Sequence, residues 1–118
     1  MGSPPTVSDT PQGLSALLST DGAALILALS KETLAGTLIA AFDGWRGSFY
    51  RLAVHPDARR RGIGTALLRA GERHLRERRA LRLTAVVADD DATALGFWSA
   101  AGYERQRHRT RFVRLVEG

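Results

Sequence analysis

The sequence predicts an α/β protein built on a mixed β-sheet, and three observations carry that expectation. Two apolar runs, 23–29 (AALILAL) and 33–42 (TLAGTLIAAF), are separated only by Ser30-Lys31-Glu32, which reads as an antiparallel hairpin. A strand–helix–strand succession from 49 to 87 implies a parallel pair bridged by a crossover helix. The chain has 118 residues, 44% of them hydrophobic, which is one domain's length with material for one core.

Taken in order, residues 1–13 hold three of the four prolines and read as a disordered leader, with a single domain following over 14–118. Residues 14–19 (LSALLS) make a short helix, and 23–29 and 33–42 are the hairpin strands. Asp43-Gly44 and Gly47-Ser48 mark the next turn, and 49–54 (FYRLAV) form a third strand. His55-Pro56 stops it, because proline has no amide to donate to a ladder. From Gly62 the apolar period changes. Ile63, Ala66, Leu67, Ala70, His74 and Leu75 share one helical face, while Arg69, Arg73, Arg76 and Glu77 fall opposite, giving an amphipathic helix over 62–79. Residues 81–87 (LRLTAVV) alternate and are β-branched, as in a strand. Asp89-Asp90-Asp91 offers an N-cap for a helix over 92–101, which Gly102 ends at the C′ position. Residues 103–109 and 111–116 read as a last strand or strand pair.

The composition excludes several classes of function. With no cysteine there is no disulfide, thiolate metal site or cysteine nucleophile, and no metal is expected. The longest apolar run, Ala23 to Leu29, is seven residues, whereas a membrane helix needs ~20, so no membrane partner is expected. The first residues lack a basic start followed by an apolar stretch, and a cytoplasmic protein is the default. Charge is lopsided: residues 1–44 carry one base and four acids, a net of −3, and residues 45–118 carry sixteen arginines and eight acids, a net of +8. Arginine's planar fork of donors suits phosphate, so an anionic partner fits. Nucleic acid is not expected to be that partner, because stacking aromatics are not interleaved with the arginines and no binding motif is present.

The segment 52–68 (LAVHPDARRRGIGTALL) carries the strongest functional signal. A strand ends at a proline, a basic loop follows, and glycines open a helix. A helix N-terminus exposes unpaired N–H groups and a partial positive charge. Glycine lets a phosphate approach the backbone, and neighbouring arginines add charge. A dinucleotide-fold fingerprint would place a third glycine where Leu67 stands, and a P-loop would need Gly-Lys-Ser/Thr, which is absent. The pattern reads as a pyrophosphate site of another kind.

Arg59-x-x-Gly62-x-Gly64 after Leu52-x-Val54-x-Pro56 resembles the acyl-CoA-binding motif of the GNAT superfamily of N-acetyltransferases. A second block, Asp91-x-x-Ala94-x-x-Phe97-Trp98-x-x-x-Gly102-Tyr103, is similar to that family's Asn-x-x-Ala-x-x-Phe/Leu-Tyr-x-x-x-Gly-Phe pattern at the same spacing. The resemblance covers about residues 23–116 and implies a mixed, splayed central sheet with crossover helices, and acetyl-CoA as co-substrate. It implies that amides over Arg60, Arg61, Gly62, Ile63, Gly64 and Thr65, with Arg59, hold the CoA pyrophosphate. It also implies that the backbone of Leu52, Ala53 and Val54 pairs with the pantetheine arm as an added strand. Asp91, Phe97 and Trp98 complete the cofactor side. The Val54 amide would face the thioester oxygen and stabilise an oxyanion. The reaction implied is direct attack of a primary amine, borne by a small molecule, peptide or protein, on acetyl-CoA.

The chain departs from the family pattern in four places. Trp98 occupies the position of the family's general-acid tyrosine, which leaves Tyr103 and, behind it, Ser99 as candidate acids. No carboxylate lies within 49–54, so Asp43, His55, Glu104 and His108 are the candidate bases, while His74 on the apolar helix face reads as a core histidine. Asp91 replaces an asparagine and reads mainly as a helix cap. Only about 22 residues precede the first clear strand, so an unpaired, uncharged edge at 23–29 is expected to draw in a second copy as a homodimer. The shortened N-terminus and Trp98 also admit a rival reading, a non-catalytic acyl-CoA-binding or regulatory module.

Overall fold

A computed structural model describes residues 11–19, 21–59 and 61–116. The elements run α1 (Pro11–Leu18), β1 (Ala24–Ser30), β2 (Thr33–Phe42), β3 (Gly47–Val54), a 3-10 turn (Pro56–Ala58), α2 (Ile63–Glu77), β4 (Leu83–Ala85) and α3 (Ala92–Ala100). They fall into two compact units, Met1–Val86 and Val87–Gly118. The first unit holds a four-stranded sheet in the order β1-β2-β3-β4. The β1–β2 and β2–β3 pairs are antiparallel, and β3–β4 is parallel through the α2 crossover. This is the mixed sheet that the hairpin and strand–helix–strand signals predict.

Helix α2 lies on one face of the sheet because glycine removes the side chains in its way. A Cβ at Gly47 would stand 2.6 Å from a Leu75 methyl, and one at Gly71 would stand 2.8 Å from the Phe49 ring. A Cβ at Gly36 would lie 2.9 Å from both the Ala53 carbonyl and Leu67. Between these contacts Leu38, Leu68 and Leu75 are fully buried, with Phe49 and Leu67 beside them. Burying a leucine side chain contributes about 1.5–3 kcal/mol, so this seam fixes α2 along its length against β2 and β3.

A bulge sets which side of β3 its last residues face. Arg51 and Leu52 on β3 stand opposite the single residue Leu38 on β2, and Arg51 sits in the left-handed region at φ 59°. An extra residue flips everything after it to the other side of the strand. Before the bulge, Gly47 turns its N–H to β4, donating to the Arg82 carbonyl at 2.9 Å. After it, His55 N–H donates to the Ala35 carbonyl of β2 at 2.7 Å. Alternation in the ladder then turns the backbone groups of Ala53 toward β2 and those of Leu52 and Val54 away from it. Pairing with β4 has ended by that point, at Phe49↔Ala85. Strand β3 therefore runs on to Val54 with that edge unpaired by β4, and the sheet opens there.

Three expectations need correction. The strand expected over 81–87 is only Leu83–Ala85, because its partner twists away at the bulge. The strands expected at 103–109 and 111–116 are absent among the described residues. Alternation makes a strand only where a partner and an apolar surface receive it, and here Phe112 and Val116 are more than nine-tenths exposed. Helix α1 starts at Pro11, inside the segment read as leader. Proline at the first helical position loses no intrahelical bond. The rest of that leader, residues 1–10, lies outside the described residues.

Candidate functional site

In the first unit the end of β3 and the start of α2 are joined by the 3-10 turn Pro56–Ala58. Gly62 is the N-cap of α2 at φ 76° and ψ 11°, with no side-chain cap. A Cβ at this position would meet nothing within 4 Å, so glycine stands there for its backbone conformation, not for space. The first helical bond is Ala66 N–H to the Gly62 carbonyl at 3.0 Å. The amides of Ile63, Gly64 and Thr65 precede it and have no partner in the helix. They point out of the positive end of a 15-residue helix. Arg59 and Arg61 flank this end and are exposed, while Arg60 lies outside the described residues. Arg61 donates from Nη2 to Ser30 Oγ at 2.9 Å.

One bend upstream is the open edge of β3. Leu52 and Val54 present N–H and C=O there, whereas Ala53, expected to do the same, turns its groups to β2. The 3-10 turn Pro56–Ala58 joins edge to helix, capped by His55 Nδ1 accepting from Asp57 N–H at 3.2 Å. An extended chain added along Leu52–Val54 and an anion at the α2 amides would be served by consecutive stretches of backbone. A separate cleft of about 160 Å3 lies on the β2 side of this loop, between His55, Asp57 and Arg61 and the hairpin residues Ser30 and Thr33.

The second unit holds the other predicted residues. Asp91 caps α3, its Oδ1 accepting from Ala94 N–H at 3.0 Å, as its helix-cap reading requires. Gly102 follows the helix at φ 97°. Trp98 stands edge-on to Phe97 at 5.5 Å and to Tyr103 at 5.0 Å between ring centroids. Tyr103 N–H donates to the Trp98 carbonyl at 3.0 Å. The Tyr103 ring is thus placed by Trp98 and is half-buried.

The candidate bases separate on geometry. Asp43 Oδ1 accepts from the amides of Arg46 at 2.7 Å and Trp45 at 2.9 Å. Those bonds hold its carboxyl below the usual carboxylate range and so weaken it as a base. It also lies at the far end of β3, roughly 25 Å from Val54 at strand rise. His74 is a structural histidine: Arg78 donates to Nδ1 at 3.2 Å, so Nε2 carries the hydrogen given to the Gly22 carbonyl at 2.8 Å. His55 is half exposed beside Val54, and Glu104 and His108 are exposed in the second unit. No cluster of three or more His, Cys, Asp or Glu that could hold a metal occurs among the described residues.

The Acetyltransferase (GNAT) family pattern matches residues 3–103, and the chain belongs to that family. Its fold is that of solved acetyltransferases. Aminoglycoside 6'-N-acetyltransferase AAC(6')-IG from Acinetobacter haemolyticus is 21% identical over 90% of this chain and 79% of its own, with a TM-score of 0.75. AAC(6')-Iy in complex with a bisubstrate analogue, CoA-S-monomethyl-acetylneamine, is 19% identical over 95% and 81%, with a TM-score of 0.76. A transcriptional regulator from Bacillus halodurans C-125 is 21% identical over 88% and 73%, with a TM-score of 0.75.

Proposed function

We propose that this chain is an N-acetyltransferase that moves an acetyl group from acetyl-CoA to a primary amine by direct attack. The observation that carries the reading is the continuity of the open β3 edge with the uncapped start of α2. Together they match an extended amide-bearing arm that ends in a pyrophosphate. In this reading the pantetheine arm adds along Leu52–Val54, and the pyrophosphate takes the amides of Ile63, Gly64 and Thr65 with Arg59, Arg60 and Arg61 around it. The amine nitrogen attacks the thioester carbon, the C–N bond forms, and the C–S bond breaks with its electron pair on sulfur. The Val54 N–H stabilises the oxyanion between the two. The amine's proton goes to solvent, because His55 Nδ1 already accepts from Asp57 N–H, and the thiolate is protonated by Tyr103 or by water. A thiol's pKa of ~8.5 makes the thiolate a tolerable leaving group.

The deciding assay follows thiol release from acetyl-CoA across a panel of amines (an aminoglycoside, a polyamine and a peptide N-terminus), beside a CoA-binding measurement. Amine-dependent thiol release supports the reading. CoA binding without turnover on any amine supports a non-catalytic acyl-CoA-binding module, the reading that Trp98 in the tyrosine's place favours.

Trp98→Tyr tests the missing acid. If proton delivery to the thiolate limits the rate, this variant raises kcat up to ~10-fold, a part of what a fully positioned acid contributes. An unchanged kcat, with CoA binding and melting temperature intact, counts against that limit.

The same chain is proposed to work as a homodimer. Strand β1 is the outer strand of the sheet. Even-numbered residues of β2 face it, so Leu25 and Leu27 of β1 turn their backbone groups outward. No charge or proline on Ala24–Leu29 blocks pairing, and a twofold axis would match this edge to itself. Light scattering at micromolar concentration should give twice 12.8 kDa. A single species at 12.8 kDa would reject the dimer.

A further inference from the structure

We infer that Ser30, at the end of β1, is a positioning residue for the CoA phosphates, acting through Arg61. The inference rests on the reading of the α2 start as a pyrophosphate site. Ser30 and Arg61 are 31 positions apart in sequence, yet Ser30 Oγ accepts from Arg61 Nη2 at 2.9 Å across the small cleft between hairpin and loop.

The contact is anchored where the hairpin turns. Ser30 pairs with Thr33 across a two-residue turn. Both turn residues, Lys31 at φ 51° and Glu32 at φ 67°, lie in the left-handed region. That is the turn geometry whose twist matches the strands, and it normally selects Asn-Gly. Here two residues with full side chains hold it, so the ladder on either side imposes the conformation. Between the 3-10 turn and α2, the cap at Gly62 uses no side chain. A bond from the hairpin to Arg61 therefore orients both the guanidinium and the backbone that leads into Gly62. A hydroxyl accepting from a guanidinium leaves the other N–H donors of that group for an anion.

The test uses the full chain and four variants: Ser30→Ala, Ser30→Thr, Arg61→Ala and the Ser30→Ala/Arg61→Ala pair. Calorimetry reads CoA affinity, with pantetheine, which lacks the phosphates, as a second probe, and a melt checks folding. Ser30→Ala should weaken CoA about three- to tenfold, the scale of one ordinary hydrogen bond. Pantetheine binding and the melting temperature should not move, and Ser30→Thr should restore CoA affinity. In the pair, Ser30→Ala should cost nothing beyond Arg61→Ala, since the hydroxyl acts through that arginine.

Wild-type CoA affinity in Ser30→Ala, alongside weakened Arg61→Ala, overturns the inference and leaves the pyrophosphate reading standing. So does an additive pair, or an equal loss of pantetheine. Wild-type affinity in Arg61→Ala overturns it as well. If the wild-type chain itself does not bind CoA, the underlying reading fails first.

Discussion

Gly64→Glu should abolish most CoA binding while the chain stays folded. Gly64 is the second residue of α2, ahead of the first helical hydrogen bond. Its amide is among those proposed to meet the pyrophosphate. A glutamate there brings bulk and a negative charge to the place an anion must occupy. Loss of charge-assisted hydrogen bonds together with like-charge repulsion should weaken CoA by about 100-fold. The same charge suits the positive end of the helix and should not lower its stability. A calorimetric titration beside a thermal melt separates the two effects. Unchanged CoA affinity in a folded Gly64→Glu chain would remove the phosphate site from α2.

Val54→Pro should cut kcat by about 10²–10³-fold, the scale of losing one oxyanion donor. The bulge makes this substitution informative. Because the Val54 N–H points away from β2, proline there deletes an amide without deleting a rung of the β2–β3 ladder. Ala53, as the preceding residue, is already extended, the conformation that a following proline favours. The α2 start is untouched, so CoA affinity should fall far less than kcat. Single-turnover rates on the amine found by the panel assay give the comparison. An unchanged kcat would mean that Val54 N–H does not face the thioester oxygen.

The parts of the fold that were legible in advance are those with local signals. Strand β2 matches its expected limits, 33–42, because polar turns bracket an apolar run on both sides. Helix α2 announces itself by the switch of period at Gly62, and Asp91 and Gly102 carry the chemistry of a helix cap and stop. The uncapped α2 start was readable from Gly62 and Gly64 for the same reason. What was not legible depends on partners distant in sequence. Arginine is a poor marker of the left-handed region, so nothing local flags the bulge at Arg51, yet the bulge decides which of Leu52, Ala53 and Val54 offers its backbone. The Arg61–Ser30 bond joins a loop to a strand end that only the β1–β2–β3 register brings near it. The alternation over 103–116 looked like a strand because propensity is a statement about receiving surfaces, and the sequence does not display which surfaces exist.

In the proposed complex acyl-CoA lies along the open edge of β3 with its pyrophosphate on the start of α2. Amide chemical shifts of the labelled full chain, followed as CoA is added, test it most directly. Saturable shifts should concentrate at Leu52, Val54 and Ile63–Ala66, with Thr84 and Ala85 in β4 and the β2–β3 turn at Asp43–Arg46 unmoved. Saturable binding whose shifts avoid both Leu52–Val54 and Ile63–Ala66 would contradict it.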